Sequence, residues 1–472
     1  MRIGIIGAGV SGMTAAWLLQ HDHKVTLFDK APRLGGHVET IPVTIGGETV
    51  HAEVGPRFFF DTAYPYFLAL LRLLAVPIRW SDAMASITEV ARGRTVVLPP
   101  RSLRHVASLA RSPRLVRHVL SLRRLIEEQP VIAARRDFSI TFRRHLAEGG
   151  YPASFGPEFA YPFLAACWGA PLAKLPEFPV YSLLKGMPPG KRPGFYEVTG
   201  GMSRYVQAFG DELARVDVRL GVGVKRVEHD GDPAMGARAA SNPDLSLGRF
   251  VVEDTNGERL RFDRLVVATS SRDAAEVLRG LPAGADLARL VATYRHFDTE
   301  IVIHGDASLL PPDRRDWAHN NLFFDGDLAW MSDWQGLRHG LPVIRTWLPK
   351  GRAAPRPLYG RRTFHHVLMH PENALLQRRI AAAQGAQGIW VTGMYAVDVD
   401  NHESALLSAL VPAMALAPRA KNLARLLDAV GQGAAHGLDV LPVPLAPRPS
   451  DVLPRDLVVD DGSSSAVTNP SP

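Results

Sequence analysis

Cysteine is almost absent: the 472 residues contain one, Cys167. No intrachain disulfide can form, so the fold rests on its core, and a reducing, cytoplasmic location is the expectation. Long hydrophobic runs are missing too. The longest apolar stretch, Pro65 to Pro77, is interrupted by Arg72 and is too short for a bilayer core of about 30 Å. The chain opens on a short apolar run, without the charged segment and apolar stretch of a signal peptide, and none is expected. No P-loop and no GxSxG element is present, which leaves kinase and hydrolase readings unsupported. His365, His366 and His370 cluster in sequence, but no cysteine or carboxylate set completes a zinc site. Asp398, Asp400 and Glu403 lack the glycine and spacing of a calcium loop, so no metal site is expected.

What is there describes a folded chain. A hydrophobic content of 46% with 21% charged residues is ordinary for a globular protein, and the length suits two domains. The net charge of +7 is unevenly placed. Arg101, Arg104, Arg111, Arg114, Arg117, Arg123 and Arg124 follow one another with no acid between them. Leu103, Val106, Ala110, Val116, Leu120 and Leu125 are interleaved at roughly helical spacing. Two readings stay open: a solvated helical face, or peripheral contact with an anionic membrane through 101–124. No nucleic-acid partner is expected, because no RRM, helix-turn-helix or zinc motif accompanies the charge.

The first thirty residues read strand, glycine turn, helix, strand, acid. Arg2 to Ile6 is a short strand, followed by Gly7-Ala8-Gly9-Val10-Ser11-Gly12 and a helix-prone run from Met13 to Leu19. Val25 to Phe28 makes a second strand, ended by Asp29. In this context Gly7 permits the turn, Gly9 admits a pyrophosphate, and Gly12 lets helix and sheet pack closely. The helix N-terminal amides at Val10 and Ser11 face the phosphates, and Asp29 accepts from a ribose hydroxyl. A dinucleotide site is expected.

The following residues narrow the dinucleotide. Lys30-Ala31-Pro32-Arg33-Leu34-Gly35-Gly36-His37 resembles the extended signature of the flavin-containing amine oxidase superfamily, which includes phytoene desaturases and protoporphyrinogen oxidases. His51 to Arg57, with Gly55, Pro56 and Arg57, is similar to the segment passing the flavin ring. Val198 to Tyr205 resembles the paired-glycine return to the flavin domain, Val222 to Val227 the strand at the adenine (Val224), and Phe262 to Thr269 the second sheet signature. Gly388 to Tyr395, with Gly393, then Asn401 to Leu406, with Glu403, Ser404 and Ala405, resembles the closing strand, loop and helix whose N-terminus faces the flavin. A bacterial subgroup described as NAD/FAD-binding and amine-oxidase-like is the nearest likeness; Trp168, Phe178-Pro179 and His370-Pro371 fit it. The chain departs from the family where His37 replaces the usual arginine and Met394 an acid.

The resemblance implies non-covalent FAD, with Arg33 neutralising phosphate and Lys30 nearby. It also implies a discontinuous α/β fold: a Rossmann-like FAD domain from residues 1–80, 195–290 and 385–430, and a mixed substrate domain from 81–194 and 291–384. Residues 441–472, rich in Pro, Ser and Asp, read as a disordered tail. The expected activity is hydride removal from a small-molecule or lipid substrate, by desaturation or amine oxidation. A flavin-dependent isomerase and a non-catalytic flavin protein are the rivals. Candidates for chemistry are His402, Glu403 (base or helix cap), Arg57 (charge partner of reduced flavin or substrate carboxylate, or a surface ion pair) and Tyr395 (substrate wall or packing). Cys167 reads as a buried structural thiol. Oligomeric state is not legible.

Overall fold

The computed structural model describes residues 1–81, 84–187, 195–229 and 250–431. The irregular segment around Pro188 to Pro193 and the tail from 441 lie outside the described residues. Five strands form a wholly parallel sheet in the order Val216–Leu220, Lys24–Asp29, Arg2–Ile6, Arg264–Val267, Ile389–Val391. The fourth of these is buried along its whole length, as a central parallel strand covered on both faces must be. Helix Val10–Leu19 is buried on every side, so it carries no polar face. It lies between the sheet and helix His402–Leu416. Trp17 and Phe28, both fully buried, belong to this core. A three-stranded antiparallel sheet, Val224–His229, Phe250–Asp254 and Arg259–Phe262, adjoins it, with Arg259–Phe262 against the central strand Arg2–Ile6.

A second layer is a mixed seven-stranded sheet. Its order is Leu358–Val367, His296–His304, Ile344–Trp347, Leu328–Trp334, Asn320–Asp325, Ala85–Glu89, Arg94–Leu98. Helices between Leu103 and Trp168 accompany it, packed through Leu125, Phe142, Phe155 and Phe159. Their starts follow from capping: Ser102, Ser112 and Thr141 accept from His105 N, Leu115 N and Arg144 N at 3.2–3.3 Å. Among the described residues, no helix is long and apolar enough to cross a membrane.

The two layers are fastened beside the glycine-rich loop. Gln335 accepts from Glu53 N at 2.6 Å and donates to Glu53 O at 3.0 Å, closing a two-bond clasp. Buried Arg345 donates to Gly55 O at 2.6 Å. The chain from Glu53 to Gly55, at the end of strand Glu48–Glu53, is thereby held to the seven-stranded layer.

Candidate active site

A cleft of about 550 Å³ opens at the carboxyl ends of the parallel strands, where ligands of doubly wound sheets bind. Of the residues singled out in sequence, Gly7, Gly9, Val10, Ser11, Asp29, Lys30, Gly35, Gly36, His37, Val224, Gly393, Tyr395, His402 and Ala405 line it. Its floor is made by close backbone approach. A Cβ on Gly12 would lie 1.8 Å from Gly7 O, so only glycine lets the helix start so near the turn. Gly36 has φ +57°, and its Cβ would stand 3.0 Å from Gly9 Cα, where the two loops bridge through Gly9 and Gly35. At Gly9 the outward side is open: an added Cβ meets nothing nearer than 3.9 Å.

Two helix N-termini face the cleft. The first begins after Gly9, whose position carries no side-chain cap, so its leading amides are available to a ligand. The second begins at His402 and is capped by Asn401, which accepts from Ser404 N at 2.8 Å. Asp29 accepts from Ala8 N at 2.6 Å and Ala31 N at 2.8 Å, which pins its carboxylate at the end of its strand. Two carboxylate oxygens offer about four acceptor sites, so capacity for a hydroxyl donor is left. Lys30 meets Asp273 at 3.4 Å on the cleft wall, an exposed pair of small energetic weight.

Six other expected contacts lie elsewhere. Arg33 does not line the cleft; it donates to Leu34 O, Gly36 O and Val38 O at 2.7–3.3 Å and to Glu39. It holds the glycine loop in shape, a different task from the expected phosphate contact. Arg57 is paired with Glu197 at 3.2 Å and borders a separate cavity of about 110 Å³; the pair is buried, not the surface pair expected. Burial alone would raise the Glu197 carboxyl, but Arg57 and Arg79 outweigh it and hold it at about 2. Pro56, Gly12 and Ser404 also stand outside the cleft lining. Glu403 is 1% exposed, and its two oxygens accept from Tyr66 N at 2.8 Å and Phe67 N at 2.9 Å. It caps helix Pro65–Leu73 rather than its own helix, and its carboxyl is turned away from the cleft. Cys167, on helix Tyr161–Trp168, is likewise outside, and burial followed by Asp333 pushes its thiol up to about 12.

The end of the cleft near Tyr395 is rich in histidine. Burial, then His366, pushes the His37 imidazole down to about 4; burial, then His37, takes His402 down to about 3. Both are neutral at ordinary pH. Burial pushes Tyr205 well up, so its hydroxyl keeps its proton, and it is hydrogen-bonded to His402 Nε2 at 2.8 Å. His296 and His365 line the same cavity, and sequence reading missed both as cleft residues. Ser271 Oγ stands 2.7 Å from His296 Nε2, and His365 Nδ1 2.5 Å from Asp298. They meet because strands His296–His304 and Leu358–Val367 pair antiparallel, with Asp298 opposite His365. That register is not visible in either segment alone. Val367, Met394 and Tyr395 add an apolar wall, and the buried Tyr395 hydroxyl has no partner.

A glycine-floored cleft at the mouth of a doubly wound sheet, with a second sheet over it, defines a dinucleotide-binding α/β protein. Residues 10–304, more than half of the chain, match the family model described as flavin containing amine oxidoreductase, and the chain belongs to that family. Among solved structures it resembles a putrescine oxidase bound to putrescine, at 13% identity over 89% of this chain and 100% of that one (TM-score 0.61). It also resembles a CLA-producing fatty acid isomerase from P. acnes, at 14% identity over 88% of this chain and 98% of that one (TM-score 0.60). At such identities the likeness is one of fold. A curated relative, an uncharacterized protein of Methanocaldococcus jannaschii, is 56% identical over 36 residues, 8% of this chain. The chain spans about 9% of that relative's length.

Two outcomes follow from the geometry. Gly9→Ala has room for its methyl group, so its melting temperature should stay near wild type while bound flavin is lost. Gly12→Ala should cost roughly 1–3 kcal/mol of stability in urea titrations. Equal destabilisation of both would refute the distinction. Glu403→Gln should cost about 1–3 kcal/mol, because one amide N–H then faces an NH₂ group. Burial raises the Glu403 carboxyl from 4.5 to about 7, against its two N–H bonds. Between those values the folded protein holds a proton that the unfolded chain has lost, so the group's contribution to stability falls as pH rises. The advantage of wild type over Glu403→Gln should therefore shrink by up to about 3 kcal/mol from about pH 5 to about pH 8.

Proposed function

We propose that this protein is an FAD-dependent oxidoreductase that removes a hydride from an organic substrate, with FAD held non-covalently. The observation that carries the reading is the cleft itself: a glycine floor and helix N-terminus at one end, neutral histidines and a second helix N-terminus at the other. When bound, the flavin supplies the hydride acceptor. The amides following Gly9 receive the pyrophosphate, Asp29 a ribose hydroxyl, and the backbone near Val224 the adenine. The Asn401-capped helix stabilises negative charge at the ring end, by about 0.3–1 kcal/mol or more where buried. His37 and His402, neutral beside the apolar wall of Val367, Met394 and Tyr395, can accept the proton a substrate loses with its hydride. Tyr205 orients His402 for that role. Cys167, outside the cleft and with a raised thiol, supports a cofactor that is not tethered.

On this reading residues 1–80, 195–290 and 385–430 make the cofactor domain, and 81–194 with 291–384 the substrate domain. The apolar wall favours a hydrophobic or lipidic substrate, reacting by desaturation or amine oxidation. A disulfide-free chain suits a cytoplasmic site of action.

The purified protein should show a two-banded yellow spectrum, and heating should release a chromophore that co-chromatographs with FAD. A colourless protein that cannot be reconstituted would overturn the assignment. In anaerobic turnover, an isomerase would convert substrate without any acceptor and at unchanged mass; a non-catalytic flavin protein would resist reduction and reoxidation altogether. His37→Gln or His402→Gln should retain flavin and lower kcat about 10²-fold. Unchanged kcat in both would remove the histidines from the chemistry.

A further inference from the structure

The helices after Arg101 carry apolar side chains on the wrong side. Leu103 is 89% exposed, Val106 51% and Leu120 59%. In helix Leu103–Ala110, residues 103, 106 and 110 recur at the three- and four-residue spacing of one helical stripe, and all three face water. The inner side holds buried His105 and Ser108, whose Oγ donates to Thr95 O at 3.2 Å, together with Leu109 packed on the core. An ordinary surface helix has the opposite arrangement. In helix Pro113–Glu127 the exposed stripe runs Pro113, Arg117, Leu120, Arg124, while Leu115, Leu122 and Leu125 point inward.

The arginines of this face divide into two groups. Arg104 is paired with Asp313 and Asp316, Arg114 with Glu158, Arg123 with Glu127 and Arg124 with Glu128. Arg111 and Arg117 are exposed and make no ion pair with any described residue. Arg111 follows directly on the Leu103–Val106–Ala110 stripe. Protruding aliphatic side chains flanked by uncompensated arginines match the interfacial region of an anionic bilayer, apolar below and negatively charged above.

We propose that helices Leu103–Ala110 and Pro113–Glu127 form a docking surface for anionic lipid, inserting Leu103 and Val106 while Arg111 and Arg117 meet the headgroups. The surface is independent of the flavin reading, because vesicle binding is measured without turnover. The full-length protein should co-sediment with vesicles of phosphatidylcholine and phosphatidylglycerol, not with phosphatidylcholine alone, and high salt should release it. Arg111→Glu with Arg117→Glu should weaken partitioning by roughly 25-fold or more, about fivefold for each arginine removed. Leu103→Ser with Val106→Ser should weaken it about tenfold or more at unchanged net charge. Arg378→Glu with Arg379→Glu, on exposed positions of helix Asn373–Ala383, makes the same change of charge elsewhere and should bind as wild type. Failure of the wild type to sediment with anionic vesicles would overturn the proposal. So would equal loss in the Arg378/Arg379 variant, or a serine variant that changes self-association but not sedimentation. If the arginine variant does not fold, the serine variant decides.

Discussion

The contact on which the site depends is the approach of helix Val10–Leu19 to the turn it leaves. With a Cβ on Gly12 placed 1.8 Å from Gly7 O, no side chain fits, and the helix must start against the strand end. That closeness explains why the helix is buried on all sides and built from small residues such as Ala15 and Ala16. It also sets the helix between the sheet and helix His402–Leu416, so that two N-termini open on one cleft. Moving the first helix outward by the radius of a methyl group would disturb both ends of the cleft together.

The far end is held by tertiary bonds that no local pattern announces. Glu403 ties the closing helix to helix Pro65–Leu73 through two amide hydrogens, and Tyr205 fixes His402 from a third helix. The Gln335 clasp and Arg345 hold the chain from Glu53 to Gly55 on the second sheet. Gly55 in turn backs onto His37 so closely that a Cβ would lie 2.0 Å from His37 O. The second sheet is thus connected to the ring end of the cleft through three consecutive residues.

The α/β fold and the phosphate end of the cleft were legible in sequence because their requirements are local. A turn, a helix start and a strand end lie within thirty residues, and each demands a particular residue type. Long-range partners were not legible. Arg33 sits in the right segment, yet three backbone carbonyls within five residues take its guanidinium before any ligand could. Arg57 and Glu403 were expected at the cofactor because their segments resemble the family's; their side chains find Glu197 and a distant helix start instead. His296 passed unnoticed and His365 was weighed only for metal, because only the pairing of two strands distant in sequence brings them to one wall.

The electrostatics of the cleft follow from these substitutions of role. A flavin dinucleotide is anionic at its phosphates and gains charge at its ring on reduction, charge that full cations would offset. Here Arg33 and Arg57 are engaged internally, and His37 and His402 are held neutral by burial. Of the sequence-singled residues lining the cleft, Lys30 alone carries a full positive charge, and it is paired with Asp273. Positive potential comes mainly from backbone amides at two helix starts, each end equivalent to about half an elementary charge. Such dipoles do not titrate and are fixed by the fold, so they cost no reorganisation when charge develops. They leave the cleft's histidines uncharged, the state that the proposed proton transfer requires.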